Sequence, residues 1–250
     1  MSPGLTHVVL LFLAGVGSGL TGYGAGLASV VSYPALLAVG LSPLAANATN
    51  TAALTGIALG GVGSARRELT GMRARIIRFG AAGLVGGALG AVLLVVLPEA
   101  IFTGIVPWLV VAGCVVLLLR PWLQRLHRGR WSEHHPLTVV TIGLVAVYGG
   151  YFGAAAGTIV VAVLGLVLTD PLVRITALRA VVLGLANLVA TLVFVARDLV
   201  AWTAMLPLAL GMFLGGALAP RLLRRLPEIV VRVVVALAGL GLAAFLLAQR

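Results

Sequence analysis

The chain has 250 residues, of which 61% are hydrophobic and only 9% are charged. A soluble domain carries roughly 25% charged residues, so most of this surface is not built to face water. The formal net charge is +11, and the sequence contains arginine but no lysine. The arginines cluster in short loops between apolar segments, which is the positive-inside pattern and argues against a nucleic-acid partner. The single cysteine, Cys114, excludes a disulfide framework and a cysteine-based metal site.

Apolar segments close to the length of a membrane span recur along the chain. In order they cover 5–20, 24–40, 45–65, 76–97, 100–119, 137–152, 155–169, 175–196, 201–219 and 229–248. Six are predicted to span fully: 45–65, 76–97, 100–119, 175–196, 201–219 and 229–248. The other four form two pairs, each interrupted by glycine. No arginine precedes the first segment, so it is predicted to be retained rather than cleaved as a signal peptide.

The distribution of arginine predicts the orientation. Three loops are rich in arginine, namely those after 45–65, 100–119 and 201–219. The turn at 98–99 contains no arginine, and the turn at 197–198 contains one. The arginine-rich loops are therefore predicted to be cytoplasmic. Successive loops must alternate between the two sides of the membrane. The segment 131–173 must therefore form a hairpin that leaves the cytoplasm and returns to it, and 5–40 must form a hairpin on the outside. Both termini are then extracytoplasmic, in a bacterial-type plasma (inner) membrane.

Two stretches of the sequence repeat at nearly the same offset. The segment from Gly86 to Glu99 recurs 129 positions later, and Gly22-Tyr23 corresponds to Gly150-Tyr151 at an offset of 128. The second copy of the longer segment gains arginines that the first copy lacks, as reversed sidedness requires.

The predicted fold is therefore an all-α polytopic membrane protein of two inverted-topology repeats, 1–125 and 131–250. Each repeat is a glycine-broken helical hairpin plus three transmembrane helices, giving 8–10 membrane segments in one integral membrane domain. The alternative interpretation is an old duplication that is kept only for packing.

The glycine-rich breaks are the first candidate site, because broken helices in inverted repeats bind substrate near the bilayer midplane. Backbone N–H groups at such a break bind anions with help from the helix dipole. The candidate residues are Gly22, Tyr23, Gly24, Gly26, Gly150, Tyr151, Gly153 and Gly157. Close helix packing is the alternative role for these glycines.

A second set of candidates follows each hairpin. In the first half they are Asn47, Thr49, Asn50 and Thr51, whose side chains suit an oxyanion, although Asn47 also suits a helix N-cap. In the second half they are Thr176, Arg179 and the deeper Asn187, which alternatively bridges helices. Arg179 aligns with Thr51, and an arginine in the membrane is a functional hypothesis by default. The alternative for Arg179 is that it snorkels to the cytoplasmic interface.

The six acidic residues all lie at span ends or in loops. This distribution disfavours a cation site and favours a small anionic substrate. The sequence predicts no metal, no cofactor and no enzymatic activity, since no catalytic constellation falls within a span. The expected partners are the anionic substrate and the lipid bilayer, and a homodimer is left open.

The chain resembles the sulfite exporter TauE/SafE family of membrane permeases over nearly its whole length. The resemblance rests on the duplicated arrangement, the breaks Gly-Tyr-Gly-Ala-Gly at 22–26 and Gly-Gly-Tyr-Phe-Gly at 149–153, and the polar stretch 47–51. It implies a secondary transporter that moves sulfite, sulfonates or related sulfur oxyanions by alternating access. The alternative function is a non-transporting membrane assembly or accessory protein.

Overall fold

A computed structural model describes residues 4–125, 132–153 and 156–222, together with 233, 237, 240 and 241. These residues form nine α-helices and no strand. The helices are α1 (Leu5–Ala25), α2 (Ser29–Ala38), α3 (Pro43–Ser64), α4 (Arg73–Val96), α5 (Glu99–Arg125), α6 (Pro136–Tyr151), α7 (Ala156–Val167), α8 (Leu172–Val195) and α9 (Trp202–Leu222). They follow the first nine apolar segments of the sequence, whereas the predicted span 229–248 lies outside the continuously described ranges.

Four of the described helices are long and apolar enough to cross a membrane, namely α1, α4, α8 and α9. Helix α3 has the length, with 22 residues, but the polar stretch from Asn47 to Thr51 lowers its hydropathy. The prediction of an all-α polytopic membrane protein is confirmed. The relation of the two halves as inverted repeats stays a prediction.

The second arms of the two hairpins are short. Helices α2 and α7 have 10 and 12 residues. At a rise of about 1.5 Å per residue they measure about 15 and 18 Å, well below the hydrocarbon thickness of about 30 Å. Neither helix is long enough by itself to cross the hydrocarbon core.

The start of α3 is capped by a different residue from the one that the sequence suggested. Ser42 caps α3, because its Oγ accepts a hydrogen bond from the Ala45 backbone N–H at 3.3 Å. Asn47 is therefore not the N-cap, and it lies in the second turn with its side chain buried. Helix α8 has Pro171 at its N-cap position and no side-chain cap.

The two halves of the chain interlock. Helices α1 and α3 pack against α9, whereas α6 and α8 pack against α4, and α3 crosses α8 between these groups. Glycines make the closest crossings possible: a Cβ at Gly87 of α4 would lie only 2.6 Å from Ala186 Cα of α8. In the same way, a Cβ at Gly216 of α9 would lie 3.2 Å from Ile57 Cα of α3.

Ion pairs join three helix starts at one end of the molecule. Arg75 of α4 binds Glu133 at 2.6 Å and Asp170 at 2.7 Å, and Arg174 of α8 also binds Asp170 at 3.3 Å. Arg174 further donates to the backbone oxygens of Glu68 at 3.0 Å and Thr70 at 2.7 Å, in the loop after α3. The second hairpin therefore leaves and returns to the same side, the side of the arginine-rich loop 66–78.

Cysteine labelling tests this sidedness. In a Cys114→Ala background, Arg67→Cys and Ser132→Cys are expected to react with a membrane-impermeant maleimide from the same side. Pro98→Cys, at the far end of α4, is expected to react from the opposite side. Because all three positions are exposed, accessibility does not limit the reaction. Reaction of Ser132→Cys from the side of Pro98→Cys would contradict the arrangement.

The glycine crossing between α4 and α8 predicts a large effect of one methyl group. Gly87→Ala places its Cβ against the backbone of Ala186 and is expected to cost about 1–3 kcal/mol through overpacking. Gly165→Ala in α7 is the matched control, since nothing lies within 4 Å of the added Cβ. The control is expected to keep or raise the melting temperature in detergent. Equal melting temperatures for both variants would show that the crossing is not this tight.

Candidate substrate site

Each helix break lies at the last glycine of the predicted stretch, 22–26 or 149–153. Helix α1 continues through Gly22, Tyr23 and Gly24, and the chain leaves helical geometry only at Gly26, where φ is 80°. Helix α6 likewise continues through Gly150 and Tyr151, and Gly153 takes the left-handed conformation with φ 74°. The helical glycines serve close approach instead, because a Cβ at Gly150 would lie 2.9 Å from Gly87 Cα.

The tips of the two hairpins touch each other. A Cβ at Gly26 would lie 2.7 Å from the carbonyl carbon of Gly157, and a Cβ at Gly157 would lie 2.9 Å from Gly26 Cα. Gly26 also has a positive φ, so a larger residue there is strained as well as crowded. Two of the predicted candidate glycines from opposite halves of the chain are thus brought into backbone contact.

Each hairpin tip is held by a polar side chain from the other half. Arg179 of α8 donates from Nη2 to the carbonyl oxygen of Tyr23 at 2.8 Å, and its guanidinium lies 5.9 Å from the Tyr23 ring centre. Asn47 of α3 donates from Nδ2 to the carbonyl oxygen of Tyr151 at 2.9 Å. Both carbonyls lie in the last turn of a helix, where carbonyls lack helical partners.

Arg179 does not snorkel to the interface. Its side chain lies between the two hairpin tips, and the residue is only 4% exposed. Its Nη1 atom lies 3.4 Å from the position that a Cβ would take on Gly157. The guanidinium therefore reaches both breaks from one position on α8.

A cavity opens where the hairpin tips meet α3 and α8. Its volume is about 60 Å³, measured as the space open to the centre of a water-sized sphere, and one side of it is open. Six of the predicted site residues line it: Gly22, Gly26, Gly153, Gly157, Arg179 and Asn187. The remaining walls are apolar or small, formed by Ala28, Leu54, Ile57, Ala58, Ala156, Ala180, Leu183 and Gly184.

The electrostatics of the cavity suit an anion. Arg179 is the one charged side chain on its wall among the described residues. Ala28 and Ala156 place the starts of α2 and α7 at the wall, and a helix N-terminus carries a partial positive charge. Asn187, 8% exposed and two turns further along α8, adds an amide that hydrogen-bonds to neutral or anionic groups.

The polar stretch of α3 binds other parts of the protein rather than lining the cavity. Asn50 accepts from Ser32 Oγ at 2.5 Å and donates to Ser29 Oγ at 2.9 Å, which ties α3 to α2. Thr49 Oγ1 accepts from the Ala201 backbone N–H at 3.0 Å, at the start of α9. Thr51 is fully buried, and its hydroxyl has no hydrogen-bond partner among the described residues.

Other predicted candidates also lie off the cavity wall. Gly24, Gly150 and Thr176 do not line it, and Tyr23 and Tyr151 take part through their carbonyl oxygens. Sequence reasoning missed Leu54, Ile57 and Leu183, because nothing in the sequence distinguishes an apolar residue that lines a cavity from the other apolar residues of its helix. It also missed Ser29 and Ser32, whose spacing of three places both hydroxyls on one face of α2.

The hydrogen bonds of Asn50 predict a structural role. Asn50→Ala leaves two buried serine hydroxyls without this partner, and each loss is expected to cost about 1–3 kcal/mol. The measurement is the melting temperature in detergent, with Thr55→Ala as the control, because the Thr55 hydroxyl bonds only to its own helix. A normal melting temperature for Asn50→Ala with weakened substrate binding would instead place Asn50 in the site.

The fold and the cavity together define a class. An apolar helical bundle in which two broken hairpins meet beside a cavity, with a buried arginine on the cavity wall, has the architecture of a membrane transporter. The sequence profile described as "Sulfite exporter TauE/SafE" matches residues 8–246, and the chain belongs to this family. It is accordingly a multi-pass membrane transporter.

Curated relatives agree with this class. The chain is 27% identical over 248 residues to "Probable membrane transporter protein YfcA" of Escherichia coli (strain K12), covering 99% of this chain and 91% of the relative. It is 24% identical over 243 residues to "Probable membrane transporter protein ORF9" of Sinorhizobium sp, covering 97% and 93%. No solved structure matches the chain.

Proposed function

We propose that the protein is a secondary transporter that moves a small anion, a sulfur oxyanion or organosulfonate related to sulfite, across the plasma membrane. The observation that carries this proposal is the buried Arg179 on the wall of a cavity between two hairpin tips. The family name supports the choice of sulfur oxyanions. The proposed substrate site consists of Arg179, Asn187 and the backbone around Gly26 and Gly157.

Arg179 binds the anion through charge-assisted hydrogen bonds. A guanidinium presents five N–H donors in a planar fork that matches the oxygens of a tetrahedral or pyramidal oxyanion. One donor is engaged with the Tyr23 carbonyl in this structure. Anion binding therefore acts on the same group that holds the first hairpin, which couples occupancy of the site to the position of the hairpin tip.

Alternating access follows from movement of one hairpin-bearing group against the other. The group of α1, α2, α3 and α9 meets the group of α4, α6, α7 and α8 along the α3–α8 crossing. At the hairpin tips the groups meet through the glycine approach, the two carbonyl bonds and an edge-on contact of the Tyr33 and Phe152 rings, whose centres lie 5.9 Å apart. We propose that the cavity lies on this boundary because the moving surfaces separate there.

The proposed orientation follows the distribution of charge. The arginine-rich end, with Arg75 and Arg174 in its ion pairs, faces the cytoplasm, and both termini are extracytoplasmic. In this arrangement the halves 1–125 and 131–250 are inverted repeats in a bacterial-type inner membrane.

Transport in proteoliposomes tests the proposal. Purified protein is expected to catalyse saturable uptake of radiolabelled sulfite. Arg179→Gln is expected to lower uptake at limiting substrate about ten-fold or more, because a charged hydrogen bond contributes about 1.5–3 kcal/mol. Glutamine keeps an amide donor for the Tyr23 carbonyl while it removes the charge.

Arg66→Gln is the matched control for this experiment. Arg66 is an exposed arginine in the loop after α3, remote from the cavity wall. The control is expected to transport at the unaltered rate. Full activity of a folded Arg179→Gln variant would place the anion elsewhere, and uptake of no oxyanion by the folded native chain would overturn the proposed function.

A further inference from the structure

Helices α3, α8 and α4 together present one apolar face to the lipid. Both α3 and α4 pack against α8, whereas within the described residues they make almost no contact with each other. Gly184 of α8 approaches Ala58 of α3, and Ala186 of α8 approaches Gly87 of α4. Helix α8 therefore lies between the other two helices.

The exposed side chains of this face are apolar. At about 3.6 residues per turn, Leu188 of α8 points away from Leu183, which lines the cavity. Leu188 is 48% exposed, and Leu59 of α3 and Ile77 of α4 are 68% and 61% exposed. In a membrane protein such side chains lie against acyl chains, which are as apolar as leucine. Leu59, Ile77 and Leu188 define the α8 face.

A loop with exposed arginines crosses one end of the α8 face as it joins α3 to α4. Arg67 in this loop and Arg73 at the start of α4 are both exposed. Within the described residues neither guanidinium takes part in an ion pair. Leu59 and Ile77 lie about 8 and 6 Å along their helices from the ends that meet this loop. Positive charge and apolar surface are thus adjacent, as in a site for a lipid headgroup and its acyl chain.

The loop is held in place by hydrogen bonds to its backbone. Arg174 at the start of α8 donates to the carbonyl oxygens of Glu68 at 3.0 Å and Thr70 at 2.7 Å. Asp170 is engaged by Arg174 at 3.3 Å and by Arg75 at 2.7 Å. The carboxylate of Glu68 turns inward, since its Oε2 atom is shielded from solvent. The two exposed guanidiniums are therefore positioned by a fixed loop and remain open to an external anion.

We propose that an anionic glycerophospholipid binds at this end of the α8 face. Its phosphate lies between Arg67 and Arg73, and an acyl chain lies along Leu59 and Ile77. A guanidinium suits a phosphate because its planar N–H groups form paired, charge-assisted hydrogen bonds. Basic sites at the ends of membrane helices bind anionic headgroups for the same reason. The site is on the side of α8 that faces away from the cavity, so this inference does not depend on the proposed substrate.

Lipid titration of the purified chain in detergent tests the proposal. Phosphatidylglycerol is expected to raise the melting temperature by about 3–6 °C at about ten times its dissociation constant, because it binds the folded state. Phosphatidylcholine with the same acyl chains carries no net charge and is expected to give a clearly smaller shift. Inorganic phosphate, which lacks an acyl chain, is expected to give none. Equal shifts with the two lipids, or a full shift with phosphate alone, would overturn the proposal.

The double variant Arg67→Gln, Arg73→Gln tests the position of the headgroup. It is expected to reduce the shift with phosphatidylglycerol to that seen with phosphatidylcholine, while the melting temperature without lipid stays the same, because both side chains are exposed. Arg197→Gln is the matched control, since Arg197 is an exposed arginine in the turn between α8 and α9, at the other end of α8. This control is expected to keep the full shift.

Two results with these variants would reject the headgroup site. One is an unchanged shift with phosphatidylglycerol in the double variant, and the other is an equal loss of the shift in Arg197→Gln. If the double variant does not fold, the comparison of the two lipids and phosphate on the native chain still decides whether an anionic lipid binds.

Discussion

Backbone that leaves helical geometry inside a membrane must find hydrogen-bond partners within the protein, because lipid offers none. Within the part of the chain that the structure describes, α1 and α6 end in this way at the hairpin tips. Arg179 and Asn47 satisfy them from α8 and α3, each with a donor to a tyrosine carbonyl. These two bonds tie each hairpin tip to α3 or α8, beside the crossing at which the cavity opens.

The same requirement explains why the two halves interlock. Each hairpin packs against the helix that its own half does not supply, α1 on α9 and α6 on α4, and glycines allow the backbones to approach closely. Without a hydrophobic effect between helices in lipid, such close packing is a main source of association. A change in either half is therefore transmitted to the hairpin of the other.

Two arginines only five positions apart on α8 illustrate how depth decides the role of a charged residue. Arg174 lies in the first turn and pairs with Asp170 at the arginine-rich end. Arg179 lies more than one turn deeper, out of reach of that end, and bonds to a backbone carbonyl beside the cavity. The same helix thus uses one arginine for an ion pair at its start and the next for a backbone carbonyl inside the bundle.

The sequence by itself determined the positions of the described helices, the two interrupted hairpins and the family. Long apolar runs have few alternatives to helix in lipid, and glycine and arginine mark the breaks and loops. It did not determine which polar residues face the cavity. Asn50 and Thr49 turn towards α2 and α9, whereas Arg179 and Asn187 face the cavity. Only the tertiary structure decided this. A helix that is apolar on every side has no periodic pattern that indicates which face is buried, so the packing of the neighbouring helices determines which residues face the cavity.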